Sequence, residues 1–384
     1  MEPAFHGRPA DHHPAAHHVY LLQQADRRRH DLGSCQGLMG LDSMRAPTLR
    51  DVARHAGVSM GTVSHVLNHP QKVSESTIAK VRASIEELGF VRDANASSLA
   101  AGGSRSIGLV VIDLGNSMFV DVARGAQEAA RDAGLNLMLA ASQDDFAAQG
   151  ENVDFFAEAR VAGLLLAPLQ DSSEQMRRFS ARGRPAILVN YDPGDEGVCC
   201  VVVDNEQVGY LAARHLIEQG CRRLLFVCGD EAIQPVTLRR AGLRRAVSEA
   251  KGVRFEEVHT PDLTEQSGAA LAHRVAARGP GTRPDGIVTV TDTLAAGFMN
   301  AAEALGISVP RDMAVMGCDD NRLAEPTTVG LSTVAMEGKA LGGAAIRMLL
   351  EELSAAAGIP HVHQRIVVEP RLIPRRSTLG FERG

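Results

Sequence analysis

TLRDVARHAGVSMGTVSHVLN, residues 48–68, holds two short amphipathic patterns around a single glycine. Leu49, Val52, Ala53 and Ala56 recur at i, i+3, i+4 and i+7, one face of an α-helix. Thr48 suits the N-cap of that helix, and Gly57 suits a left-handed stop. Ser59 then caps a second helix whose Val63, Val66 and Leu67 point inward. Its other face shows Met60, Gly61, Thr62, Ser64, His65 and Asn68. Ser74 opens a third helix with Ile78, Val81, Ile85 and Leu88 inward, closed by Gly89. Three short helices, the first two joined by a glycine-containing turn, predict a helix-turn-helix.

Beyond Ser106 the pattern changes. Continuous apolar runs (SIGLVVI, LNLMLAA, AGLLLAP, PAILVNY, CCVVVD, RLLFVCG, GIVTVTD and DMAVMGC) alternate with helix-length amphipathic stretches such as Val120–Ala133, Gln207–Gln219, Leu238–Ala250 and Leu294–Leu305. Strands apolar along their whole length belong to parallel sheets covered on both faces. Roughly ten such strands exceed one comfortable sheet, so an all-α headpiece followed by two doubly wound α/β subdomains is the expected fold class.

Composition narrows the function. Trp is absent and aromatics are 4%, so the core must be aliphatic. No apolar run reaches the roughly 20 residues that a membrane-spanning helix needs. The start has no charged segment followed by an apolar block, as a secretory signal would have. Cys35, Cys199, Cys200, Cys221, Cys228 and Cys318 form no CxxC pair and sit mostly in strand-like runs. They read as buried thiols of a cytoplasmic protein, with no metal site and no cofactor expected. The net charge of −6 is uneven: −1 over residues 1–43, +3 over 44–105 and −8 over 106–384. A small basic module thus precedes an acidic body. Residues 1–43 contain six of the fourteen histidines and no persistent period, and read as a disordered tail. Translation is expected to start at Met44, just before the first patterned segment.

TLRDVARHAGVSMGTVSHVLN followed by VSESTIAKVRASIEELGF resembles the headpiece of LacI/GalR-family transcriptional repressors. The likeness continues in order through SIGLVVIDLGNSMFVDVARGAQEAARDAG, VDNEQVGYLAARHLIEQG, RRAG, GISVPRDMAVMGCDD, LSTV and EPRLIPRRST, from about Thr48 to Thr378. It implies a DNA-binding headpiece over residues 48–92, a hinge helix and linker over 93–105, and a periplasmic-binding-protein-like core. That core would divide into an N-subdomain of residues 106–203 plus 336–365 and a C-subdomain of 204–335 plus 366–380. The implied crossings lie near Val203, Ala335 and Ile366.

A helix fits the major groove of B-DNA, where base edges present distinguishable donors and acceptors. The resemblance makes Met60, Gly61 and His65 the base readers. It adds Thr48, Leu49, Ser59, Thr62, Ser64 and Asn68 as DNA contacts, with Ser74 and Thr77 holding phosphates at a helix N-terminus. The family commonly has Arg where His65 stands and a hydrogen-bonding side chain where Gly61 stands, so the operator preference is not carried over. In the hinge, Asn95 and Ala96 would lie on DNA. Leu99 from each of two chains would wedge into the central minor groove and kink the duplex.

In a two-lobed α/β body, ligands bind at the carboxyl ends of the strands. Asp113, Asn116 and Phe119 follow the first strand, Asn190 follows PAILV, Asp292 follows GIVTVT, and Asp319 follows DMAVMGC; Arg239 opens RRAGLRRAV. An Arg fork and a carboxylate each grip vicinal hydroxyls, which suits a sugar or related polyol. By resemblance Arg239 and Asp319 are the strongest effector contacts. Thr291 stands where relatives have Asn, and Cys318 where they have an aromatic residue. The tail LGFERG lacks the leucine heptads of a tetramerising coil, so a homodimer on a palindromic operator is expected. GxxxxGK[ST], GxSxG, HExxH and a GxGxxG after the first strand are all absent, which speaks against the common enzyme classes.

Overall fold

The computed structural model describes residues 46–91, 104–194, 197–229, 233–279, 281–321, 329–355 and 361–381. They belong to two compact units, residues 1–92 and 93–384.

The first unit is a three-helix module. Helix α1 (Leu49–Ala56) begins at a capping box, in which the Thr48 hydroxyl and backbone N–H both meet the Asp51 carboxylate, and ends at Gly57 with φ 66°. Helix α2 (Met60–Asn68) starts at Ser59, whose Oγ accepts from the Thr62 N–H at 3.1 Å. Helix α3 (Glu75–Leu88) ends at Gly89 with φ 62°. Val52, Ala53, Val63, Val66 and Val81 form the buried centre, walled by Leu49, Leu67, Ile78, Ile85 and Leu88. So small a core has little stability to spare. A part-buried polar tie helps, since His55 Nδ1 lies 3.0 Å from the hydroxyl of Ser84, linking α1 to α3.

The second unit contains a six-stranded and a four-stranded parallel sheet. The first uses β1 (Ser106–Val111), β2 (Asn136–Ala141), β3 (Gly163–Leu166), β4 (Ala186–Val189), β5 (Cys200–Val203) and β11 (Arg365–Val368), in the order β11-β5-β4-β3-β1-β2. Helices α4 (Ser117–Asp132) and α11 (Gly338–Ser354) pack together against it, as do α5 (Phe146–Glu158) and α6 (Ser173–Ser180). The second sheet uses β6 (Arg223–Cys228), β7 (Arg254–His259), β8 (Gly286–Thr289) and β9 (Ala314–Met316), in the order β7-β6-β8-β9. Its helices pair as α7 (Asn205–Glu218) with α8 (Gln234–Glu249) and α9 (Glu265–Ala276) with α10 (Asp292–Ala304). β10 (Thr333–Ala335) and β12 (Arg371–Ile373) form an antiparallel ribbon.

The inner strands are apolar throughout because both faces are covered: Leu164, Leu165, Leu166 and Ile187 are fully buried. The α7–α8 pair meets backbone to backbone, because a Cβ on Gly242 would stand 1.7 Å from the Glu206 carbonyl. One boundary differs from the sequence reading. β11 pairs with β5 from Arg365 to Val368, so the chain leaves the first sheet after Val368 rather than near Ile366. Among the described residues the five cysteines are buried and none is in a disulfide. No described helix is long and apolar enough to cross a membrane.

Candidate functional site

Two sites follow, one in each unit. On the headpiece, the α2 residues singled out from sequence stand on its outer side. Met60 is 46% exposed, and Gly61, His65 and Asn68 are exposed around it. Thr62 and Ser64 are half-buried, and their hydroxyls lie within hydrogen-bond reach of Ser59 Oγ and Asn68 Nδ2 respectively. The Ser74 and Thr77 hydroxyls stand 2.9 Å apart at the start of α3. Thr48 and Leu49 serve the fold: the Thr48 hydroxyl is held by Asp51 and Leu49 packs on the core. Leu49 can offer DNA its backbone N–H rather than its side chain. Sequence reasoning passed over His69, whose ring centroid lies 6.2 Å from that of His65. The hinge residues Asn95, Ala96 and Leu99 lie outside the described residues, as do residues 1–43.

In the core, a cavity of about 430 Å³ lies at the carboxyl ends of both parallel sheets. Six of the seven residues read as effector contacts line it: Asp113, Asn116, Phe119, Asn190, Arg239 and Asp319. Asn116 caps α4 by accepting from the Met118 N–H at 2.9 Å, which fixes its amide for a second bond. That amide donates to Asp319 Oδ2 at 3.3 Å, from the first sheet's side to the second's. Asn190 and Asp319 both adopt positive φ, 56° and 123°, a backbone state that Asn and Asp tolerate better than bulkier residues.

Arg239 is buried, with a protein partner at each guanidinium nitrogen. Its Nε donates to Asn205 Oδ1 at 3.0 Å, and Nη1 donates to the Val290 carbonyl. Nη1 also stands 3.6 Å from Asp319 Oδ1. Asn205 in turn donates to Asn190 Oδ1 at 3.0 Å. Asn190, Asn205, Arg239, Asp319 and Asn116 thus form one polar chain from lobe to lobe. Asn205 went unnoticed in the sequence, although it lies two residues past an apolar strand.

Asp319 is the least satisfied member. Its Oδ1 is buried without a hydrogen-bond partner. Burial pushes its carboxyl up to about 7, against the pull of Arg239 and Asn116. Asp292 corrects the sequence reading: it does not line the cavity and is fully buried beneath it. Its oxygens accept from the Thr333 hydroxyl at 2.7 Å and the Asn321 N–H at 2.8 Å. Burial, and then the charge of Asp319, raise its carboxyl well above the ordinary range. Thr291, one residue earlier, does face the cavity while capping α10, and Cys318 is buried away from it.

The rest of the lining escaped the sequence reading. Ile112, Met118, Ile233, Val236, Leu263 and Val290 give apolar walls, and Asp144, Asp262 and Glu265 add acid. Burial, with the charges of Asp113 and Asp262, raises the Asp144 carboxyl. Among the described residues the lining holds five carboxylates and one guanidinium. Such a site favours ligands rich in hydrogen-bond donors over anions.

Comparison with known proteins matches both units. Residues 48–93 match the family described as bacterial regulatory proteins, lacI family, and residues 213–378 match the periplasmic binding protein-like domain. The chain is 33% identical over 333 residues to the HTH-type transcriptional repressor PurR of Pectobacterium carotovorum, covering 86% of this chain and 96% of that one. Among solved structures, a transcriptional regulator CelR–cellobiose complex superposes with a TM-score of 0.64 at 27% identity, over 86% of this chain and 99% of that one. The lac repressor dimer bound to operator and the anti-inducer ONPF shares the fold, with a TM-score of 0.75 at 24% identity over 88% of this chain and all of that one. This chain belongs to the lacI family of bacterial regulatory proteins, DNA-binding transcriptional repressors rather than enzymes.

Proposed function

We propose that this repressor is controlled by an uncharged, hydroxyl-rich small molecule, a sugar or related polyol, bound in the cavity between the core lobes. The observation that carries the reading is Asp319 Oδ1, a buried acceptor without a hydrogen-bond partner, beside Arg239 in an acid-lined cavity. A ligand hydroxyl donating to it would satisfy a group whose isolation is costly. Arg239, Asn190 and Asn116 would bind further hydroxyls, and Phe119 would cover an apolar ring face. The cellobiose complex of a 27%-identical regulator supports a carbohydrate of this kind.

The exposed side of α2 would read an operator in the major groove, with Met60 and His65 on base edges and Ser59, Ser64, Asn68, Ser74 and Thr77 on phosphates. Two headpieces on adjacent half-sites gain from effective concentration, which supports a homodimer on a palindrome in the cytoplasm. Ligand closes the lobes and, by linkage, shifts operator affinity by its preference for the closed core. Release from DNA is the favoured sign. A thermal-shift panel tests the effector class. Neutral mono- and disaccharides should include a stabiliser worth about 2.7 kcal/mol at a hundredfold excess over Kd. Stabilisation confined to phosphorylated or carboxylated ligands would overturn the assignment.

A further inference from the structure

Away from the effector cavity, four side chains from three parts of the chain converge at the opposite, amino-terminal edge of the six-stranded sheet. Cys199 immediately precedes β5, Glu352 lies in the last turn of α11, and His361 and His363 lead into β11. The rings of His361 and His363 meet edge to face, with centroids 5.0 Å apart. Cys199 Sγ stands 3.1 Å from His361 Nε2 and 3.6 Å from His363 Nδ1. Glu352 Oε2 lies 3.7 Å from His361 Nε2, and all four donor atoms fall within 4.8 Å of one another.

We propose that Cys199, Glu352, His361 and His363 form a binding site for one divalent transition-metal ion of the zinc class. Sulfur at about 2.3 Å and nitrogen or oxygen at about 2.0–2.2 Å from a tetrahedral ion stand roughly 3.3–3.7 Å from one another. Of the three separations above, 3.6 and 3.7 Å lie in that range and 3.1 Å falls just short of it. One thiol, two imidazoles and one carboxylate is a borderline-soft donor set that suits zinc and excludes calcium or magnesium, which take oxygen ligands. The cluster carries one proton on the thiol and one on each neutral imidazole, and with these Glu352 Oε2 is still buried without a hydrogen-bond partner. A cation at the centre satisfies every acceptor at once. Cys199 is buried while the other three are half-buried, so an ion has a route in from solvent.

The site would be structural rather than catalytic, with four protein donors closing the coordination sphere. It ties the end of α11 to the first sheet where the edge strand β11 joins β5. Edge strands are the least constrained part of a sheet, and a clip there holds β11 in register. Nothing in the effector reading depends on this site.

Cobalt titration of the purified full-length protein is the test, because the tail histidines and Cys35 also offer donors and must be separated from the cluster. The expected result is one saturable Co²⁺ per chain with tetrahedral visible bands and a thiolate-to-cobalt charge-transfer band, both bleached by Zn²⁺. Cys199→Ser should remove the charge-transfer band. His361→Asn should weaken Co²⁺ binding at least tenfold and shift the visible bands. Circular dichroism identifies any variant that fails to fold, and His363→Asn repeats the test at a second half-buried ligand. Absence of any stoichiometric cobalt–thiolate absorption, or a band undiminished by Cys199→Ser and His361→Asn alike, would overturn the proposal.

Discussion

Asp319→Asn should make the core more stable while removing its response to effector, and the gain should grow with pH. The folded carboxyl holds its proton up to about pH 7, because burial outweighs the attraction of Arg239. An unfolded aspartate gives it up near pH 4, at about 3.9. Between those values the native state binds more protons than the unfolded state, so stability falls as pH rises through the window. The full gap corresponds to roughly 4 kcal/mol at pH 8, and to about 1.5 kcal/mol at pH 5 where only part of the window has been crossed. Asn keeps the shape and the acceptor facing Asn116 but carries no charge to desolvate. Asp292 relaxes in the same direction, since the charge of Asp319 is one cause of its raised carboxyl. At roughly 2 °C per kcal/mol for a unit of this size, the core transition should rise by up to about 8 °C at pH 8 and about 3 °C at pH 5. Scanning calorimetry of the full chain, following the larger of the two transitions, measures both. A transition lowered by Asp319→Asn at both pH values would show that the Arg239 pair stabilises the site more than burial strains it, and the reasoning would fail.

Gly242→Ala places a Cβ 1.7 Å from the Glu206 carbonyl, between α7 and α8. Overpacking against backbone should lower core stability by about 3 kcal/mol and weaken effector binding through Arg239 on the same helix, read by calorimetry and ligand titration. His65→Ala leaves the headpiece fold intact, because the ring is exposed. It should relax preference at one operator base pair by roughly 1–3 kcal/mol, and equal binding across a panel of single-base operator variants would show His65 to be a bystander.

Where local rules decide structure, the sequence is readable residue by residue. Thr48, Gly57, Ser59 and Gly89 cap the headpiece helices as their chemistry requires, and the continuous apolar runs are the buried parallel strands. β7 was hidden because it is an edge strand: RFEEVH is exposed or half-buried along most of its length, so no apolar run marks it. Missing it concealed the turn that follows, and with it Asp262, Leu263 and Glu265 in the cavity wall. Asp292 shows a second limit. Thr291 and Asp292 both follow an apolar strand, and the backbone at the start of α10 turns one toward the cavity and the other into the core. Gly317 makes room for that buried carboxylate, since a Cβ there would meet Asp292 Oδ1 at 2.1 Å. The Cys199, Glu352, His361 and His363 cluster draws on residues spread over half the core, and only the sheet order brings them together.

Coupling between the cavity and the operator is what makes this repressor a switch. Fluorescence anisotropy of the full-length protein on its operator, with and without a saturating cavity ligand, measures that coupling directly. The account predicts a change in operator affinity of about tenfold or more, within the 1–3 kcal/mol usual for such linkage, and none for Asp319→Asn. Equal operator affinity for the free protein and for protein with its cavity demonstrably occupied would contradict it.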